Sequence, residues 1–244
     1  MAQMTIMTTP AAPSDLPSAT DSSSTVFVSA ILDGMSESDG DIPPGVDFLS
    51  EDAARKWANE AEPKLASRIN FFAAFVHAIT QHTPSVRRVL EPGSGPGFLA
   101  EYILSRCAGI ERYTLLDFSP TMLDLSHKRL QPFGNRASYL QVDFKQTSWA
   151  DKGGAASDCI VTLQAVHELR HKRHALGFYE ECRTVIKHGG LLLVCDHIPQ
   201  KDSARDRALF MTEDEQVVAI QAAGFSSVQT ILKTAERVAC QAIA

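Results

Sequence analysis

No run of apolar residues in the 244-residue sequence approaches the roughly 18 that a membrane-crossing helix requires. The first lysine or arginine is Arg55, so the opening 54 residues hold neither the basic start of a secretory signal nor the arginines of a transit peptide. Together these absences set the expectation of a cytoplasmic protein with no membrane partner. Cysteine is scarce: Cys107, Cys159, Cys182, Cys195 and Cys240 make an odd number, five, with no C-x-x-C pair and mostly apolar neighbours. Buried, reduced thiols are expected, and no metal site. Clustered basic charge is lacking too. The first 54 residues carry nine acids, which leaves 20 acids against 23 bases in the rest. A strong nucleic-acid footprint would need concentrated positive charge, so no nucleic-acid partner is expected.

What is present divides the chain into three. Residues 1–46 are rich in Ser, Thr, Ala, Pro and Asp and end in SESDGDIPPG. Such a segment buries too little apolar surface to offset chain entropy, so an acidic, disordered tail is expected, with TVFVSAIL at 25–32 as a possible edge strand. Residues 47–82 read as two helices. SEDAARKWANEAEP stops at a proline, and LASRINFFAAFVHAITQH places Ile69, Phe72, Phe75 or Val76, and Ile79 on one face. Because they precede the first clear strand, they are expected to cover the sheet or its ligand crevice, with Trp57, Phe71 and Phe72 as apolar walls.

Residues 83–244 alternate between strand-like and helix-like runs. Strands are read at 88–91, 113–117, 138–142, 158–163 and 191–196, with helices at about 98–107, 120–130 and 172–187 between them. Ser119-Pro120 supplies a cap and a first-turn proline, HGG at 188–190 is read as a helix stop, and Thr212-x-x-Glu215 is a capping box. Two last strands, 227–232 and 237–243, have no helix between them and should pair as a hairpin. The pattern predicts an α/β fold, a doubly wound, mostly parallel seven-stranded sheet closed by an antiparallel hairpin.

Between the first strand and its helix lies LEPGSGPGF, with Gly93, Gly95 and Gly97. A dinucleotide turn, G-x-G-x-x-G, would need its third glycine where Phe98 stands, and no Gly-Lys-Ser/Thr is present for a phosphate loop. Glu91, at the strand end, would repel a pyrophosphate and suit an ammonium group. These residues favour an amino-acid nucleoside over a phosphate.

The stretch resembles the first motif, E/D-x-G-x-G-x-G, of class I S-adenosylmethionine-dependent methyltransferases. Asp117 ending the second strand in YTLLDFSPTML, Asp143 ending the third in LQVDF, and LQAVHEL after the fourth extend the resemblance from about residue 50 to the C-terminus. The resemblance implies S-adenosylmethionine as cofactor. Glu91 would hold the amino group, Gly93, Ser94 and Gly95 the methionine part, and Asp117 with Phe118 the ribose. Met122, Asp143 and Phe144 would surround the adenine, and Gln164 would stand near the reactive methyl. His167 and His197 are the candidate bases, an ordinary histidine pKa of about 6.5 suiting that task, and Glu168 faces the acceptor. RHKRH at 170–174 reads as a solvated basic face.

The D/N-P-P-Y/F segment of adenine and glutamine methyltransferases is absent, as is the Pro-Cys of cytosine-carbon enzymes. The expected acceptor is a small organic molecule, methylated on O, N, S or C, by a monomer or homodimer. An NAD-type oxidoreductase and a non-catalytic nucleoside binder remain the alternatives.

Overall fold

The computed structural model describes residues 40–146, 148–153 and 156–244. Helix α1 (Glu51–Ala61) starts where Ser50 Oγ accepts the Ala53 amide and Glu51 and Asp52 face the helix's positive end. A 3₁₀ turn with Pro63 breaks the helix, and α2 (Ile69–Gln81) follows. Phe72, Phe75 and Ile79 are buried as the periodicity requires, while Ile69 is exposed.

The remaining elements are β1 (Arg88–Pro92), α3 (Phe98–Arg106), β2 (Arg112–Asp117), α4 (Pro120–Arg129), β3 (Ala137–Gln141), β4 (Ser157–Leu163), α5 (Ala175–Val185), β5 (Ile186–His197), α6 (Ala204–Leu209), α7 (Glu213–Ala222), β6 (Ser226–Lys233) and β7 (Arg237–Ile243). The strands form one seven-stranded sheet in the order β3-β2-β1-β4-β5-β7-β6. The first five are parallel, and β7 runs antiparallel to both β5 and β6. This is the expected doubly wound sheet with its closing hairpin.

Helices cover both faces. Tyr179, Cys182 and Ile220, from α5 and α7, pack on one side; Phe71, Phe75 and Ile103, from α2 and α3, pack on the other. Between the layers Cys159, Ile160 and Val161 of β4 are fully buried. Strand order reverses between β1 and β4, and such a reversal opens a crevice at the carboxyl ends of the strands. All five cysteines are free and buried. No described helix is long and apolar enough to cross a membrane.

Four local expectations are corrected. HGG does not stop a helix: α5 ends at Val185, and His188, Gly189 and Gly190 lie inside β5. Glycine is needed there because Gly189 has a positive φ of 74°. At Gly190 a Cβ would fall 2.7 Å from Ile186 Cγ1. Lys172–His174 is a 3₁₀ turn, so α5 begins only at Ala175, and α6 was not foreseen. Most of the expected tail, with its strand at 25–32, lies outside the described residues, but residues 40–46 do not behave as a free tail. They run along the body, where the Ile42 amide donates to the Arg170 carbonyl at 2.9 Å.

Candidate active site

The crevice at the strand ends holds a cavity of about 220 Å³, bordered by Gly93 and Gly95 of the turn, Asp117 at the end of β2, Gln164, Ala165, His167 and Glu168 after β4, and His197 of β5. Phe48, Trp57, Phe118, Met122 and Phe144 supply its apolar walls. A recess of about 70 Å³ beside it is lined by Trp57, Arg68, Phe72, Glu91, Ser94 and Gln164, among others.

At one end the geometry is set by backbone. Asp117 Oδ2 accepts the Gly95 amide at 2.8 Å, and Oδ1 accepts the Ser119 amide at 2.9 Å. Burial pushes this carboxyl up to about 6, and the same amides limit the rise by favouring the charged form. Ser119 in turn caps α4 and donates its hydroxyl to the Phe48 carbonyl at 2.6 Å.

The three glycines have different reasons. At Gly93, φ 70°, a Cβ would stand 2.4 Å from Ala165 Cβ, an internal clash with the segment after β4. Gly97 lets α4 approach, since a Cβ there would meet Ser126 Cβ at 2.9 Å. Only at Gly95, φ 53°, is the space open, on the cavity side.

Glu91 is buried and accepts the Tyr113 hydroxyl at 2.8 Å. Burial lifts its pKa to about 8, so it is a neutral acid near pH 7. Ser94 Oγ and Gln164 Oε1, both in the recess, are buried without a hydrogen-bond partner among the described residues.

Two expected contacts are placed elsewhere. Asp143 does not line the cavity; its carboxylate accepts the Lys145 amide at 2.9 Å and fixes its own loop. Phe71 is core, packed between sheet and helices, whereas Trp57 and Phe72 do reach the site.

At the other end side chains do the work. Gln164 sits in the left-handed region at φ 55°, its amide held by the Cys195 carbonyl at 2.7 Å, and its Nε2 faces His197 Nε2 at 2.5 Å. His167 Nδ1 lies 2.7 Å from Asp196 Oδ1, and its Nε2 lies 3.3 Å from Glu168 Oε1. Burial pushes His167 down, but Asp196 and Glu168 outweigh it and hold the imidazole well above its ordinary range. His167 is therefore an imidazolium with both nitrogens occupied, not the free base expected from an unperturbed pKa. His197 goes the opposite way. Burial takes it down to about 4 despite Asp196, helped by the positive charges of His167, Arg237 and Arg68.

The basic run at 170–174 is no solvated face. Arg170 is buried; Nη1 pairs with Glu168 at 3.0 Å, while Nε and Nη2 donate to the carbonyls of Ile42 and Pro43 at 2.9 and 2.6 Å. Arg173 and His174 both hold Asp41. A strap at 41–48 thus reaches the site through Arg170 and Glu168. Sequence reasoning missed Asp196, Arg170, Arg68 and Phe48. Asp196 could have been found as the acid ending the apolar run LLLVCD; the others carry no local signal. A larger groove of about 520 Å³ lies across Phe144, between the loop after β3 and α5, but none of the strand-end residues faces it.

Residues 89–190 match the sequence profile of a methyltransferase domain. The likeness runs from β1, through the glycine turn, to the start of β5. The solved structures agree on the fold. An O-methyltransferase family protein from Burkholderia thailandensis superposes with a TM-score of 0.62 at 16% identity, over 80% of this chain and 61% of its own. Human N-acetylserotonin methyltransferase, solved with S-adenosylmethionine, gives 0.62 at 16%, over 80% and 57%. The N-methyltransferase NodS from Bradyrhizobium japonicum gives 0.57 at 14%, over 72% and 95%. The chain thus spans less than two thirds of the first two structures. No curated protein sequence matches it. The glycine turn, Asp117 and His167 all fall inside the matched residues, whereas Trp57, Arg68, Asp196 and His197 lie outside them.

Proposed function

We propose that the protein moves the methyl group of S-adenosylmethionine to a small organic acceptor. The observation that carries this reading is the cavity that runs from Asp117 past the open side of Gly95 to His167, with partnerless Ser94 Oγ and Gln164 Oε1 in the adjoining recess. A hydroxyl and an amide oxygen left buried without partners suit a zwitterionic amino-acid end, since each such orphan costs about 1–3 kcal/mol until a ligand satisfies it. Asp117 keeps lone pairs free for ribose hydroxyls, Met122 and Phe144 offer apolar surfaces for the base, and the missing Cβ at Gly95 gives the nucleoside room. When bound, the donor supplies a methyl already activated by its sulfonium leaving group.

The chain's residues would then align the acceptor and exclude water. Phe48 and Trp57, edge to face at 5.4 Å, cover the cavity. Neither strand-end histidine is poised to take a proton near neutral pH: His167 is already charged, and His197 at about 4 is a weak base. This favours an acceptor that arrives as a competent nucleophile. We read the protein as cytoplasmic, a monomer or homodimer with no nucleic-acid partner, in keeping with its buried unpaired thiols and nearly neutral body.

Calorimetry tests the reading. S-adenosylhomocysteine should bind at micromolar concentration, and Asp117→Ala should weaken it by about 1–3 kcal/mol. Tight binding of NAD with none of S-adenosylhomocysteine would overturn it. Turnover against a panel of phenols, thiols, amines and carboxylic acids separates an enzyme from a binder.

A further inference from the structure

The third residue of α5 is Gly177, although glycine weakens a helix relative to alanine. Neither usual reason for a glycine applies. Its φ is not positive, and an added Cβ would meet nothing within 4 Å. The missing side chain instead keeps open the groove of about 520 Å³, which Gly177 borders with Phe144, Trp149, Leu169 and Phe178. Phe144 and Phe178 meet edge to face at 5.5 Å, and Trp149 stacks on Phe178 at 5.7 Å, so one side of the groove is aromatic. Trp149 is 1% exposed, yet its Nε1 has no hydrogen-bond partner among the described residues. Vacated helix space, aromatic walls and an unmet indole N–H suit an occupant with apolar side chains and a carbonyl to offer.

The chain carries such a segment close by. Asp41, held by Arg173 and His174, also borders the groove, so the sequence before it joins the body at the groove's rim. Of residues 1–39, which lie outside the described residues, TVFVSAIL at 25–32 is the stretch richest in large apolar side chains. Eight residues, 33–40, separate it from Asp41, and an extended linker of that length reaches up to about 28 Å. We propose that residues 25–32 occupy this groove of their own chain, with Phe27 against the aromatic walls and a backbone carbonyl on Trp149 Nε1. The proposal goes beyond methyl transfer and does not depend on it. Phe144 borders both the groove and the cavity, so the docked segment would also support a wall of the candidate active site.

Hydrogen exchange on the full chain tests this, in the wild type, Phe27→Asp, Gly177→Leu and the control Leu16→Asp. Leucine at 177 fills the groove from a position where its Cβ meets no neighbour, so the body should stay folded, which slow exchange of the β4 amides checks in every variant. In the wild type and in Leu16→Asp the amides of 25–32 should exchange at least about 10-fold more slowly than an unstructured chain. Phe27→Asp and Gly177→Leu should each remove that protection. The chain has two tryptophans, so its two indole N–H signals are assigned by Trp149→Phe, and Phe27→Asp should speed exchange at Trp149 while sparing Trp57. Unprotected amides at 25–32 in the wild type would overturn the proposal and leave the groove to another molecule. Protection that survives both Phe27→Asp and Gly177→Leu would overturn it by placing the segment elsewhere. Protection that grows with protein concentration would overturn it in favour of a second copy of the chain as the segment's host.

Discussion

The two ends of the cavity are built on different principles. Around Asp117 the contacts are made by backbone: a carboxylate bridges the Gly95 and Ser119 amides, Gly93 and Gly97 avoid internal clashes, and Gly95 leaves open space. Around His167 the contacts join residues far apart, from Ile42 through Arg170 and Glu168 to Asp196, and they are made by charged side chains. The first end presents a fixed nucleoside-sized frame. The second sets protonation states, raising one histidine and lowering its neighbour.

Helices α1 and α2 yield the largest expected effect. Phe71→Ala should cost about 3–5 kcal/mol of stability, as a buried phenylalanine in a packed core does, with binding intact at temperatures where the variant is folded. Trp57→Ala, at a half-buried cavity wall, should cost far less stability and instead raise the acceptor's KM. Thermal unfolding beside steady-state kinetics checks the pair. A large loss of stability at Trp57 with unchanged kinetics would make the two residues equivalent.

This contrast marks what could be read in the sequence. The doubly wound sheet, its closing hairpin and the turn after β1 were legible because continuous apolar strands, Ser119-Pro120 and the glycine spacing are local signals with local causes. Phe71 and Phe72 could not be told apart, since neighbouring positions on one helix point to different partners only once the sheet is in place. Nothing in RHKRH says that its first arginine would be buried against carbonyls 127 and 128 residues away. The HGG misreading has the same root: glycines that end a helix and glycines that relieve crowding in a strand look alike until Ile186 is seen to pack there.

The strap gives the next effect. A chain beginning at Gly45 loses the Ile42 and Pro43 carbonyls and the Asp41 carboxylate, compared with one beginning at Gly40. Leaving Arg170 short of two acceptors should reduce stability by about 1–3 kcal/mol. Freed from the strap, Glu168 should also hold His167 differently, so the imidazole's titration, followed by NMR, should move between the two chains. Identical melting and titration would show that the strap merely rests on the surface.

The smallest effect distinguishes the ends by pH. Glu91 is protonated in the folded chain up to about 8 but only to about 4.5 when unfolded, so the unfolded state binds fewer protons in that window and Glu91 makes stability fall as pH rises through it. An ammonium group brought into the recess would favour the charged carboxylate. Binding of S-adenosylhomocysteine near pH 7 should therefore release a fraction of a proton, and Glu91→Gln should abolish that release. Calorimetry in buffers of different ionisation enthalpy measures it.

Arg237 opens β7, pairs in register with His197 of β5, and grips Ser67 through its guanidinium at 2.9 Å to the carbonyl. Because β7 is inserted between β5 and β6, the hairpin delivers this arginine to the turn that joins α1 to α2. A lever needs a fixed point, and this contact is it. If α1 and α2 lift to admit ligands, Ser67 stays where β7 holds it and the swing falls on Trp57 and Phe48, which precede that pivot in the chain. The late hairpin thus acts as the bearing for the early helices, and a substitution at Arg237 would loosen a door whose pivot lies 170 residues earlier in the sequence.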